Sequence, residues 1–104
     1  MKPTNYGPFY AFGLYPKLAE VFRAHGYALA IHGSLARDMD LIAVPWIDTA
    51  TDPQDVIDEC VARFAFDKRP QVPEQKPLGR VAYRVPFSFG DCSMDVSFTP
   101  RGAT

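Results

Sequence analysis

The sequence predicts an α+β fold, a mixed sheet of about four strands with two helices packed on one side. Two stretches carry apolar residues at helical spacing, and four short segments alternate or run apolar as strands do. Their order is helix, strand, strand, helix, strand, strand, which a mixed sheet with its helices on one face satisfies most simply. The chain has 104 residues, 47% of them hydrophobic and 13% aromatic, enough apolar material for one core and one domain spanning 1–104.

Residues 1–13 hold Pro3, Gly7, Pro8 and Gly13 among Tyr6, Phe9, Tyr10 and Phe12, the composition of an irregular arm whose aromatics pack onto the body. From there Leu14, Leu18, Val21, Phe22 and His25 recur at helical spacing. Pro16 suits the first turn of that helix and Gly26 its left-handed end. "YALAIHG", 27–33, reads as a strand with Tyr27, Leu29 and Ile31 on one face. "DMDLIAVPW" resumes extended structure, and its near-continuous apolar run from Met39 to Val44 predicts a central strand covered on both faces until Pro45 ends the ladder. Asp52 caps a second helix with Pro53 at its first position and Val56, Ile57, Cys60, Val61 and Phe64 as its buried stripe. Residues 67–79, with three prolines and alternating charge, read as a loop. Two more strands follow, "RVAYRVPFSF" and "CSMDVSFT", joined by a Gly90-Asp91 turn into a hairpin.

Several classes of function recede at this point. A formal net charge of −1 exerts no overall pull toward nucleic acid or an anionic membrane. No run approaches the roughly 18 apolar residues of a membrane span, and "MKPTNYGPFY" lacks the basic and apolar regions of a secretory leader, so we expect a cytoplasmic protein without membrane contact. Cys60 and Cys92 lie far apart, without a CxxC pair or histidines at metal spacing, and read as buried free thiols.

The chemistry-bearing stretch is "HGSLARDMD", 32–40. Side chains two apart on a strand share a face with Cα atoms roughly 6.5–7 Å apart, so Asp38 and Asp40 aim at one point. Magnesium takes hard oxygen ligands and is commonly held by one or two carboxylates with substrate phosphates and water. Gly33 lets a backbone come close to an anion, while the Ser34 hydroxyl and nearby N–H groups suit phosphate oxygens; in isolation the pair reads more readily as a simple turn. Asp95 stands between Met94 and Val96, so it faces away from the core with Ser93 and Ser97 and joins the other two acids if its hairpin lies beside the central strand. Three convergent carboxylates repel unless cations neutralise them, and such a cluster can bridge two ions for in-line displacement at phosphorus. Arg37, one residue before Asp38, is the basic residue best placed to meet a phosphate, ahead of a rim formed by Lys68, Arg69, Arg80 and Arg84. His32 reads as a hydrogen-bonded structural histidine, with a place at the border of the site as the alternative; His25 suits the end of its helix, and Trp46 and Phe87 read as core or lid aromatics ahead of base-stacking ones.

Gly33-Ser34, Asp38-Met39-Asp40 and Asp95, in that order on successive elements between residues 16 and 98, resemble the nucleotidyltransferase superfamily, the DNA polymerase beta-like fold. The resemblance implies transfer of a nucleoside monophosphate from a nucleoside triphosphate to a hydroxyl. It assigns Asp38, Asp40 and Asp95 to two magnesium ions and catalysis, and Gly33, Ser34 and Arg37 to the nucleotide. Only Leu35, Ala36 and Arg37 separate the Gly-Ser from the first acid, shorter than the family's usual spacing. A single small domain implies that a partner chain or a second copy supplies the acceptor site. The alternative is a noncatalytic nucleotide-binding or protein-interaction module that retains the scaffold.

Overall fold

The computed structural model describes residues 6–33, 35–88 and 92–101. Helix α1 spans Tyr15–Ala24, strand β1 Tyr27–Ile31, β2 Met39–Pro45, helix α2 Pro53–Arg63, β3 Glu74–Gln75, β4 Val81–Pro86 and β5 Ser93–Phe98. The five strands form one mixed sheet in the order β1-β2-β5-β4-β3. Only the β2–β5 pair is parallel; the other three neighbours are antiparallel. The α+β class therefore holds, with a short fifth strand added to the expected four.

Alternation along the strands decides which face meets the helices. Tyr27 and Leu29 of β1, Met39, Leu41 and Ala43 of β2, Tyr83 and Val85 of β4, and Met94, Val96 and Phe98 of β5 are buried. Their counterparts on β2, Asp40, Ile42 and Val44, are only half-buried or exposed. The expectation that β2 is covered on both faces is thus corrected. Central position in the sheet comes from pairing with β1 and β5, whereas among the described residues no helix lies over the second face, and Ile42 lines an open groove there.

Phe98 joins the helix-side core, stacking on Phe22 of α1 and meeting Tyr27 and Tyr83 edge-on. A second aromatic group links Tyr10, Phe87 and Phe66. Helix α2 begins as its sequence dictates: Pro53 takes the first position and the Asp52 carboxylate accepts the Gln54 N–H at 3.0 Å. At its other end the Lys68 ammonium donates to the carbonyls of Val61 and Phe64, satisfying groups the helix leaves open. His25 ties α1 to α2, with Nδ1 2.9 Å from Thr51 Oγ1 and Nε2 2.7 Å from Glu59 Oε1. Gly26, at φ +93°, could not carry a side chain, because a Cβ there would lie 2.8 Å from the Ala50 Cα.

Two segments depart from expectation. The arm assigned to residues 1–13 is helical from Gly7 on: a π-helical stretch, Phe9–Leu14, runs into α1, with the Tyr15 N–H bonding to the Tyr10 carbonyl; residues 1–5 lie outside the described part. Pro8 has no N–H to lose at a helix start, and winding this stretch onto α1 buries Tyr10, Leu14 and Leu18, spaced four apart. Inside the 67–79 loop, Glu74 and Gln75 pair with Ala82 and Val81, and Pro77–Gly79 make one 3-10 turn back into β4. Both cysteines are free and buried, and burial pushes the Cys60 thiol up to about 12. Among the described residues no helix is long and apolar enough to cross a membrane.

Candidate functional site

Parallel pairing of β2 with β5 sets Asp40 directly beside Asp95, and antiparallel pairing of β5 with β4 sets Arg84 beside Asp95. Residues in register on adjacent strands share a face, so all three side chains stand on the side of the sheet away from the helices. Asp38, one residue before β2, reaches the same place: its Oδ1 accepts the Ser93 backbone N–H at 3.0 Å. The three acids singled out from the sequence therefore stand on one face of the sheet, and a cation that belongs to the protein lies between two of them. The Arg84 guanidinium lies 3.2 Å from Asp95 Oδ2 and 3.6 Å from Asp38 Oδ2. The second Asp95 oxygen accepts from the Ser93 hydroxyl at 2.7 Å.

Asp40 is the strained member of the group. Burial raises its pKa, repulsion from Asp95 and Asp38 raises it further, and His32 and Arg84 offset part of the effect. Gly33 makes the crowding possible, since a Cβ there would meet the Asp40 Oδ2 at 3.0 Å, and its φ of +102° disfavours any other residue. The His32 N–H bonds to the Asp40 carbonyl at 2.8 Å, extending the β1–β2 ladder to the acids. His32 itself is exposed and lines the groove beside them, which makes it a wall of the site rather than a structural histidine of the core.

The connection from Gly33 to Asp38 is held from the N-terminal side. The Tyr6 N–H donates to the Ala36 carbonyl at 2.8 Å, and the Tyr10 hydroxyl donates to the Arg37 carbonyl at 2.5 Å. Leu35, buried with φ +60°, stands just before these anchors. The Tyr10 hydroxyl also meets Cys92 and feels Asp38, and burial is the main cause of its strongly raised pKa. Tyr10 thus touches the segments leading into both acid-bearing strands, a role that aromatic composition alone did not reveal.

Other expected site residues fall as follows. Arg37 is exposed just before Asp38. Ser34 and the Gly90-Asp91 turn lie outside the described residues. Phe87 is core, stacked between Tyr10 and Phe66, while Trp46 is 57% exposed at the far edge of the sheet. Lys68 and Arg69 are occupied away from the acids, the first on α2 carbonyls and the second on Asp67. The basic residue that reaches the acids is Arg84 of the rim.

From the acids a groove of about 530 Å³ runs across the open face, bordered by His32 and Ile42 on one side and by Val72, Lys76 and Arg80 on the other. Among the described residues, no three His, Cys, Asp or Glu side chains are gathered as a metal-holding group, Arg84 being placed between two of the acids. The donors themselves are hard carboxylate oxygens, and Arg84 is 66% exposed. A divalent cation beside the crowded, half-buried Asp40 would relieve its repulsion, and carboxylate oxygens are donors of the kind magnesium takes. Compared with protein-family models, with curated proteins and with solved structures, the chain finds no match in any of the three.

Proposed function

We propose that the chain is a magnesium-dependent nucleotidyltransferase, acting from an open sheet face and transferring a nucleoside monophosphate from a nucleoside triphosphate to a hydroxyl. The observation that carries the reading is the register that puts Asp40 beside Asp95 and draws Asp38 to the Ser93 amide, three acids from two distant stretches on one surface. Magnesium bound by Asp38, Asp40 and Asp95 would supply charge neutralisation for the phosphates and lower the pKa of the attacking hydroxyl.

The chain's own groups have separable tasks. Asp95, with the Ser93 hydroxyl fixing one of its oxygens, is the residue to accept the proton of the attacking hydroxyl. The hydroxyl oxygen then bonds to the α-phosphorus as pyrophosphate leaves with the electrons of the broken P–O bond. Arg84 is free to exchange its carboxylates for a phosphate, a planar guanidinium being suited to both. Gly33 and Ser34, with Arg37 beside them, would face the nucleotide, and a partner chain or second copy would bring the acceptor.

A second reading rests on the Arg84 bridge itself. In a noncatalytic module that retains this scaffold, the guanidinium would be the permanent counter-charge and no metal would enter. Titration calorimetry with magnesium, alone and with nucleoside triphosphates, separates the two. The enzyme reading expects metal-dependent triphosphate binding that Asp38→Asn and Asp40→Asn abolish and Arg84→Gln leaves intact for the metal alone. Absence of any divalent-ion binding in the wild-type chain would sink it in favour of the second.

A further inference from the structure

The open face is ordered in rows that the sheet register defines. The first holds Asp40, Asp95 and Arg84; the second holds Ile42, Ser97, Ala82 and Glu74. The third brings Arg80 together with Lys76, whose N–H bonds to the Arg80 carbonyl at 2.9 Å. Four residues along β4, from Arg84 to Arg80, span about 13 Å. The groove thus runs from an acidic end, where three carboxylates outnumber one arginine, to an end where Lys76 and Arg80 outnumber Glu74. Between them the floor is apolar or small, apart from the Ser97 hydroxyl, which is buried without a hydrogen-bond partner.

We propose that Lys76 and Arg80 form a second anion subsite, independent of metal, that takes a phosphate group of the ligand lying along this groove. Three features support it. The positive end is far enough from the acids to receive a different group of the ligand from the one that reacts. Arg80 is anchored by its Nε on the Pro77 carbonyl at 3.2 Å, and Lys76 by Glu74 at 3.2 Å, so both cations are held at the groove wall instead of waving in solvent. The turn that presents them is tightly bent, with Leu78 at φ +66° and Gly79 at φ +76°. Ser97, whose hydroxyl has no partner among the described residues, lines the groove between the two ends. The inference deepens the transferase reading by placing a second phosphate, yet its first test needs no metal.

That test is an NMR titration of the full chain with adenosine 5′-monophosphate, and with adenosine as control, in the presence of a chelator. The monophosphate should shift the amides of Lys76, Arg80 and Ala82 where adenosine does not, with affinity falling about tenfold in Lys76→Gln and in Arg80→Gln, the loss of one charge-assisted contact each. Both residues are at the surface, and unchanged melting temperatures will show that the variants fold. A second arm uses adenosine triphosphate, again with the chelator present. Shifts at Lys76 and Arg80 in the first arm assign the subsite to a phosphate carried by the acceptor, and shifts in the second arm alone assign it to the triphosphate tail. Shifts in neither arm, or binding untouched by both substitutions, overturn the proposal. Magnesium binding at the acids, read separately at Asp40 and Asp95, reports on the transferase reading by itself.

Discussion

Burial and two neighbouring carboxylates raise the pKa of Asp40, and the sign of that shift bears on stability. Between the ordinary aspartate range and the raised native value, the folded chain holds more protons than the unfolded one. Stability therefore falls as pH rises through that window; the penalty is complete above it and absent below the unfolded value near about 4. Asp40→Asn should melt at a higher temperature than the wild type at pH 7, with the gap closing as the pH is lowered past that point. Calorimetric scans of both proteins across pH 3–8 check this, and a variant that is less stable at pH 7 would mean that Asp40 serves as a structural acceptor. A residue that costs stability at neutral pH and crowds two other acids is the kind kept for binding or chemistry. Three of the site's acids were legible because D-x-D spacing and the alternation around Asp95 are local patterns. Arg84 was harder to rank, since its meeting with Asp38 depends on two strand pairings that bring distant segments together, whereas Arg37 stood next to an acid in the sequence itself.

Among the elements, the π-helical stretch before α1 does the positioning. Its Tyr10 ring packs against Phe87 while its hydroxyl holds the Arg37 carbonyl, next to the residue that reaches Ser93. Tyr10→Phe keeps the ring and removes the bond, at a cost of about 1 kcal/mol, or a fall of roughly 4–8 °C in melting temperature for a chain of this size. The local effect is more telling: hydrogen exchange of the Ser93 amide should quicken while amides within α2 keep their protection. Equal changes in both would make Tyr10 merely a core residue. The sequence disclosed α2 from Asp52-Pro53 onward, β2 and the β4–β5 hairpin, because each carries its own cap, period or turn. It concealed β3, whose Glu74 and Gln75 have no apolar alternation and owe their extended form to β4. It also concealed the helical arm, where Gly7, Pro8 and Gly13 signal breaks; the spacing of Tyr10, Leu14 and Leu18 was the contrary clue, and burial settled the competition.

Taken as a whole molecule, the fold carries its core and its candidate site on the two faces of the same strands. Met39 and Leu41 pack under Asp40, and Met94 and Val96 flank Asp95, so the acids have fixed positions only while the helix-side core is packed. Phe98 is the residue through which that coupling is most exposed to test, because its ring touches α1 through Phe22, β1 through Tyr27 and β4 through Tyr83. Removing such a ring costs about 3–5 kcal/mol, a large share of the roughly 5–15 kcal/mol that holds a domain together. Phe98→Ala should therefore lower the melting temperature by on the order of 15–30 °C. Because both helices and strands β1, β2, β4 and β5 feed one core, the loss should appear as a single cooperative transition, with near-ultraviolet dichroism, the Ser93 amide and the α2 amides failing together. If instead α1 and β1 melt first while Ser93 stays protected, the acids rest on a smaller unit built from β2, β5 and α2, and the sheet face would be independent of the helix that Phe98 anchors.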